Sequence, residues 1–348
     1  MSKKILVSGI KPTGSLHFGN YFGAMKQNID LSNSGEYESY IFIADYHALT
    51  TVRDGNELRK QTIEAVASYI ACGLDISKVV LFKQSSVREV TELTWIFNNL
   101  VTIPFMMRAH AFKDFVAKTQ SLPFNDFGQY KDMEINEVST AGVSVGLFDY
   151  PVLMASDILI YGADVVPVGQ DQKQHIEYAR DIAGYYNRAY NVEEFKLPND
   201  LIIESVGTIP GIDGQKMSKS YNNHIELFCS DEDLKKKIMS IVTDSAHPED
   251  KKNPDDNNIY KIHKLFLNRD EDILLRAKFE NGGYGYKQAK DELFETTMKW
   301  RKGKKEIFDE LVQNEGKIID ILNKNGAIAI QKAEEKMDKV RKTVGISL

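Results

Sequence analysis

Apolar positions in the first half of the chain follow two alternating rhythms. Short unbroken runs, ILVSG (5–9), YIFIAD (40–45), VVLFKQ (79–84) and ADVVPVG (163–169), have the length and β-branched content of strands buried on both faces. The segments between them carry helical spacing: Phe18 to Leu31, NELRKQTIEAVASYIACGL (56–74), EVTELTWIFNNL (89–100), YPVLMASDILIYG (150–162) and QDQKQHIEYARDIAGYYNRAY (170–190). In the second of these Leu58, Ile63, Val66, Ile70 and Leu74 gather near one face, and Gly73 sits close to the end. This alternation predicts an α/β fold with a parallel sheet covered on both sides. Residues 104–140 mix aromatics with charges and read as an excursion near a site, or a mobile loop, rather than core. Beyond about residue 226 only helical patterns persist. A boundary near 225 is expected, with an α/β domain over 1–225 and a helical domain over 226–348.

Composition narrows the class. Two cysteines, Cys72 and Cys229, supply neither a disulfide framework nor a Cys-x-x-Cys metal site, so a reducing compartment is expected. The longest stretch free of charged residues, Leu93 to Met107, is shorter than the roughly 18 apolar residues of a membrane helix and contains Asn98, Asn99 and Pro104. Only six uncharged residues separate Lys4 from Lys11, too few for the apolar core of a signal peptide. A cytoplasmic protein without membrane contact is the expectation. The formal net charge of −6 argues against indiscriminate nucleic-acid binding, yet it is unevenly spread: −7 over residues 1–230 and +1 over 231–348. Basic clusters at Lys235-Lys236-Lys237 and around Lys299-Trp300-Arg301-Lys302 could meet phosphates or be solvated helix faces.

Chemistry begins at KPTGSLHFGNYFGA (11–24), which follows the first strand. Its glycines, Gly14, Gly19 and Gly23, fit neither dinucleotide-loop spacing nor the P-loop, since Asn20-Tyr21 stand where Lys-Ser would be needed. What remains is a strand end, a glycine turn and a helix N-terminus whose free N–H groups favour an anion. Thr13 or Ser15 could cap that helix, and His17 adds a donor. Two hundred residues later GIDGQKMSKSYNN (211–223) places Lys216 and Lys219 three apart in a loop-forming context. Alone, K-x-x-K is an exposed basic loop. Two ammonium groups on an adaptable loop also suit an enzyme that must follow charge building on a leaving pyrophosphate.

Taken together, Gly14-Ser15-Leu16-His17-Phe18-Gly19-Asn20 resembles the H-x-G-H/N signature of class I aminoacyl-tRNA synthetases, and Lys216-Met217-Ser218-Lys219-Ser220 matches their KMSKS signature letter for letter. The resemblance implies a Rossmann-like catalytic domain in which the two signatures converge on ATP, usually with Mg²⁺, followed by a helical domain that reads the tRNA anticodon. In YPVLMASDILIY the residues Tyr150, Met154, Asp157 and Tyr161 share one helix face. A carboxylate there is costly unless something pairs with it, and either an indole N–H or a phenol O–H would serve. The wider sequence, YPVLMASDIL, DVVPVGQDQKQH (164–175), DYHALT (45–50), IVTDS (241–245) and GGYGYKQAK (282–290), is similar to the tryptophanyl branch; a tyrosyl enzyme, or a non-catalytic paralogue that binds tryptophan or adenylate, are the alternatives.

Carried over residue by residue, the resemblance implies Asp157 as indole N–H acceptor, Tyr150 and Gln172 on the substrate ammonium, and His47, Met154, Val7, Val166 and Val168 around the ring. Lys11, Pro12, Thr13, Gly19, Asn20, Gly169, Gln170, Asp171 and Val206, with Lys216, Met217, Ser218, Lys219 and Ser220, would surround ATP. Lys216, Lys219, Lys11 and His17 would carry the catalytic charge work. Lys11 is a departure, since many bacterial relatives have glutamine there. The family's mobile lysine has two candidates, Lys113 and Lys118, because residues 104–149 are longer than in the usual bacterial form. A homodimer acting on tRNA, ATP and L-tryptophan is implied.

Overall fold

The computed structural model describes residues 3–12, 14–119, 140, 142–169, 172–202 and 209–347. Strands β1 (Lys4–Ile10), β2 (Tyr37–Ile43), β3 (Val79–Lys83), β4 (Val165–Val168) and β5 (Asn199–Ile202) form one sheet in the order β3-β2-β1-β4-β5. Every pairing is parallel. The chain steps outward from β1 to β3, then returns to the other side of β1 for β4 and β5. The strand order therefore reverses between β1 and β4, and a crevice opens beyond their C-terminal ends.

Alternation along the strands divides the core. Tyr40 and Phe42 face one side of β2, and Ile41 and Ile43 face the other. On the first side lie α5 (Glu89–Asn98), α8 (Val145–Leu159) and α9 (Lys173–Tyr190). On the second lie α4 (Gly55–Ala71) and a helix entered at Phe18, which runs as α1 (Phe18–Asn20), a π turn (Tyr21–Met25) and α2 (Lys26–Asn33). A single turn, α3 (Asp45–Ala48), follows β2. These elements cover the strands and helices anticipated from periodicity, with β5 added: its sequence, NDLI, is short, half polar and at the sheet edge.

The expectation for 104–140 is corrected over its described part. Helices α6 (Ile103–Met106) and α7 (His110–Thr119) bury Phe105, Met106, Ala109, Phe112 and Val116 in the first core. Their helical spacing is masked in the sequence by the interleaved Arg108, Lys113 and Asp114. Lys113 sits on α7; the side chain of Lys118 and residues 120–139 lie outside the described residues. Helix α8 begins five residues earlier than anticipated, because Ser144 Oγ caps it by accepting the Leu147 N–H at 3.1 Å.

From residue 226 onward the chain is helical: α10 (Asp231–Met239), α11 (Asn258–His263), α12 (Arg269–Asn281), α13 (Tyr286–Arg301), α14 (Lys304–Gln313) and α15 (Glu315–Val344). Their core is continuous with the second side of the sheet, where Phe18, Ile63 and Leu81 join Leu234, Phe279 and Leu293. Helix α15 spans both cores. Ile318 and Leu322 lie in the second, while Ala329, Ala333, Met337 and Val340 pack in the first. Its far half is anchored by Lys336 on Glu194 (2.6 Å) and a two-pronged Arg341–Glu92 pair (2.6 and 2.8 Å). No helix among the described residues is long and apolar enough to cross a membrane.

Met337 is fully buried where the last helix meets the first core. Met337→Ala is expected to cost about 2–5 kcal/mol, read from the urea midpoint. A loss under about 0.5 kcal/mol would show that α15 contributes little to that core.

Candidate active site

A cavity of about 680 Å³ opens at the C-terminal ends of β1 and β4, where the strand order reverses. Val7 on β1 and Val166 and Val168 on β4 give it an apolar base, and His47, Tyr150 and Met154 form a wall. Lys11, Gly169 and Gln172 add polar and glycine positions to the lining. Nine of the anticipated residues thus line one space. The cavity also takes Ser8, Thr50, His110, Asp114 and His175, which sequence reasoning missed. Of these, His110 and Asp114 came from the stretch read as an excursion, although their i, i+4 spacing puts them on one face of α7. His175 Nε2 lies 3.3 Å from the Tyr150 hydroxyl. Burial pushes that phenol up to about 12, so Tyr150 stays protonated and can donate.

Asp157 sits behind this wall rather than in it, 1% exposed, with its helix neighbours Met154 and Ile158 facing the cavity. Gln84 Nε2 donates to both carboxylate oxygens, at 2.7 and 3.0 Å, and His47 Nε2 lies 3.0 Å from Oδ2. Burial raises the Asp157 pKa, and the hydrogen bonds from His47 and Gln84 work against that rise. Gln84 was not anticipated. It lies at the end of VVLFKQ, where nothing in the spacing marks it.

Beyond Lys11 in the chain, the first signature segment is tied by backbone to the residues just past the second. Phe18 N–H donates to the Ile225 carbonyl at 3.0 Å, and Leu227 N–H to the Leu16 carbonyl at 2.9 Å. The Gly19 N–H points at Met217 Sδ, 3.2 Å away. A Cβ at Gly19 would fall 2.9 Å from the His17 ring and 3.3 Å from Met217 Cβ, so only glycine allows this approach. Gly14 turns with φ +80°, and a Cβ there would stand 3.1 Å from Lys219 Nζ. His17 is the N-cap of α1, its Nδ1 accepting the Asn20 N–H at 3.3 Å while Asn20 Oδ1 accepts the His17 N–H at 3.1 Å. With Nδ1 an acceptor, Nε2 carries the proton. Burial, His224 and Lys219 lower the His17 pKa to about 4, so the ring is neutral near pH 7.

The lysines differ. Burial lowers the pKa of Lys219, and the carboxylates of Glu226, Glu64 and Glu57 oppose that shift. Lys11 is lowered by desolvation as well. Lys216 and Ser220 are exposed, Met217 and Pro12 are buried, and Ser218 Oγ accepts the Ser220 N–H at 3.2 Å. Thr13, Gln170, Asp171 and Val206 lie outside the described residues. The loop is organised by Asn223, a buried residue not anticipated. Its Oδ1 accepts the Ser218 N–H (2.8 Å), and its Nδ2 donates to Asp213 Oδ1 (2.8 Å) and the Lys216 carbonyl (3.1 Å). The second basic cluster reads differently in three dimensions: Arg301 is buried, donates to the Cys229 carbonyl and pairs with Asp231.

This arrangement sets an apolar slot, with a buried carboxylate behind its wall, beside a turn and a loop that carry three lysines, Lys11, Lys216 and Lys219. It can hold an aromatic amino acid next to a polyphosphate. Among the described residues no group of three or more His, Cys, Asp or Glu stands together as a metal site.

Residues 2–300 match the family model described as tRNA synthetases class I (W and Y). The chain is 46% identical over 340 residues to a tryptophan–tRNA ligase of Fusobacterium nucleatum, covering 98% of this chain and 97% of that one. It is 40% identical to a tryptophan–tRNA ligase of Campylobacter jejuni over 98% of this chain and 99% of that one. Its fold superposes with a TM-score of 0.86 on a solved Campylobacter jejuni tryptophanyl-tRNA synthetase complexed with ADP and tryptophan, at 40% identity and covering 98% and 99% of the two chains.

Removing the Asn223 amide leaves the Ser218 N–H without its acceptor. Asn223→Ala is expected to speed amide exchange at Ser218 by about 5- to 10-fold, the worth of one hydrogen bond, with β1–β3 unchanged. Protection unchanged at Ser218 would place the loop's order elsewhere.

Proposed function

The chain belongs to the class I tRNA synthetases of the tryptophan and tyrosine family, and we propose that its described cavity is where tryptophan and ATP meet. Its activity is that of a tryptophan–tRNA ligase. The observation that best supports the site reading is the contact of the two signatures, with Met217 against Gly19 and Lys219 against Gly14, in the same protein as an apolar cavity based on Val7, Val166 and Val168.

In the first step a tryptophan carboxylate oxygen attacks the α-phosphorus of ATP in line, forming tryptophanyl-adenylate while the bond to the β-phosphate oxygen breaks and pyrophosphate leaves. In the second, a hydroxyl of the terminal tRNA ribose attacks the adenylate carbonyl, AMP leaves, and the hydroxyl proton goes to solvent or phosphate. No side chain becomes covalently bonded. Tyr150 and Gln172 hold the substrate ammonium; Val7, His47, Met154, Val166 and Val168 enclose the ring; Asp157 accepts the indole N–H. A phenyl ring would leave that buried carboxylate unmet. Lys216 and Lys219 follow charge onto the pyrophosphate, Lys11 attends the α-phosphate, and the Nε2–H of neutral His17 donates to a phosphate oxygen. Mg²⁺ enters with ATP as part of the substrate; the chain's own groups supply ammonium and N–H donors.

Three further readings belong to this proposal. Residues 1–225 form the catalytic domain and 226–348 read the tRNA anticodon. The protein works in the cytoplasm. It pairs as a homodimer through the outer face of α5, α6 and the start of α8, where Trp95, Ile103 and Val145 are exposed large apolar residues. The Asn98–Asp149 hydrogen bond (2.9 Å) ties α5 to α8 at that face.

Amino-acid-dependent ATP–pyrophosphate exchange tests the substrate. Exchange with tryptophan is expected to exceed that with tyrosine by at least about 10²-fold; preference for tyrosine would end the tryptophan reading. Lys219→Ala is expected to lower the exchange rate by about 10²–10³ while the tryptophan KM moves less than threefold. Lys11→Gln should raise the ATP KM by about 3- to 10-fold, a modest figure because Lys11 is exposed. An unchanged ATP KM would remove Lys11 from the phosphate site.

A further inference from the structure

Gln84 follows β3 directly, in the turn Gln84–Ser86, and is 1% exposed. Its amide meets partners on both edges. On one edge Nε2 donates to Asp157 Oδ2 (2.7 Å) and Oδ1 (3.0 Å). On the other, Oε1 accepts the backbone N–H groups of Tyr46 (3.1 Å) and His47 (3.4 Å). The amide can face only this way, because a flipped group would set NH₂ against two N–H donors and an oxygen against a carboxylate. The neighbouring Ser85 fixes the same turn, its N–H donating to Asp45 Oδ1 at 2.9 Å and its hydroxyl to Asp45 Oδ2. His47 closes the ring on Asp157 Oδ2.

Two properties of glutamine suit this place. It is neutral, so it gives the buried carboxylate donors without cancelling its charge. Its length spans from the end of β3 to α8 while its oxygen still reaches the first turn of α3, which asparagine, one methylene shorter, would not manage. The bonds are also uneven. Oδ2 takes two hydrogen bonds and Oδ1 takes one, so Oδ1 is the oxygen with more capacity to accept, on a helix whose neighbouring Met154 and Ile158 line the cavity.

We propose that Gln84 is a positioning residue for amino-acid specificity: it aims the Asp157 carboxylate and the His47 ring as one unit, so that the open side of Oδ1 meets the indole N–H. The proposal rests on the reading of Asp157 given above and adds the device that orients it.

Pyrophosphate exchange with tryptophan and with β-(3-benzothienyl)alanine, in which sulfur replaces the indole N–H, separates aiming from packing. In the wild-type enzyme the analogue is expected to have the higher KM. In Gln84→Met the tryptophan KM should rise about 10- to 100-fold, the range for losing a hydrogen bond to a charged group. The KM values for the analogue and for ATP should stay within threefold, so discrimination between the two amino acids collapses. Equal rises for both amino acids would overturn the proposal by making Gln84 a packing residue, and so would an unchanged tryptophan KM. Should Gln84→Met fail to fold, Gln84→Glu keeps the length, sets a second carboxylate against Asp157, and is judged by the same split. A wild-type enzyme that does not distinguish tryptophan from the analogue would instead overturn the role of Asp157 itself.

Discussion

Backbone pairing between Leu16–Phe18 and Ile225–Leu227 is the constraint on which the site depends. The two signature segments lie about two hundred residues apart in the chain. Main-chain hydrogen bonds join the first of them to the segment just past the second, in a geometry that side-chain rotation cannot blur, and Met217 then lies on the Gly19 N–H. Behind this seam Phe18, Tyr21 and Phe22 pack edge to face with Phe266 and Trp300 of the helical part. Arg301, the next residue, donates to the carbonyl of Cys229, two residues beyond the paired segment. Val242 N–H reaches the Ile212 carbonyl at 2.7 Å, at the base of the lysine loop. The helical half therefore holds the two signature segments from behind, and what displaces it will be felt at Lys216 and Lys219.

The electrostatics follow from that seam. Burying the first turn keeps His17 neutral, so the ring offers an N–H donor without adding a fixed charge beside two lysines. Desolvation lowers the pKa of Lys219 and of Lys11, and an ammonium that has lost part of its water gains more from meeting an anion than a fully solvated one. Glu226, Glu64 and Glu57 oppose that shift on Lys219. The overall negative charge of the chain is compatible with a polyphosphate site because these cations are focused at one crevice.

Much of this was legible in the sequence, for physical reasons. A strand buried on both faces must be apolar throughout, so β1 to β4 announced themselves. Val7, Val166 and Val168 came from the family resemblance, as did the lysine loop, whose composition alone marks only an exposed basic turn. What stayed hidden depends on partners distant in the chain. Strand β5 is held by its neighbour β4 and carries Asn199 and Asp200. Helices α6 and α7 bury a stripe interrupted by charges on their outer faces. Asn223 and Gln84 act through hydrogen bonds to residues whose proximity no spacing reveals, and α15 returns to the first core through Ala329, Ala333, Met337 and Val340, far along the chain from the helices they meet.

Asp157 shows how such hidden partners decide function. A buried carboxylate paired with arginine or lysine would be satisfied outright and indifferent to what enters the slot. One with no partner would take up a proton and become a donor as much as an acceptor. Gln84 and His47 place Asp157 between these limits, with enough hydrogen bonding to oppose the upward pull of burial and one oxygen left under-coordinated. In the proposed reading the more lightly bonded Oδ1 carries the selectivity: a ring bearing an N–H at the right edge adds a hydrogen bond to a carboxylate already out of water, whereas a ring without one adds none, and the difference falls on the wrong substrate.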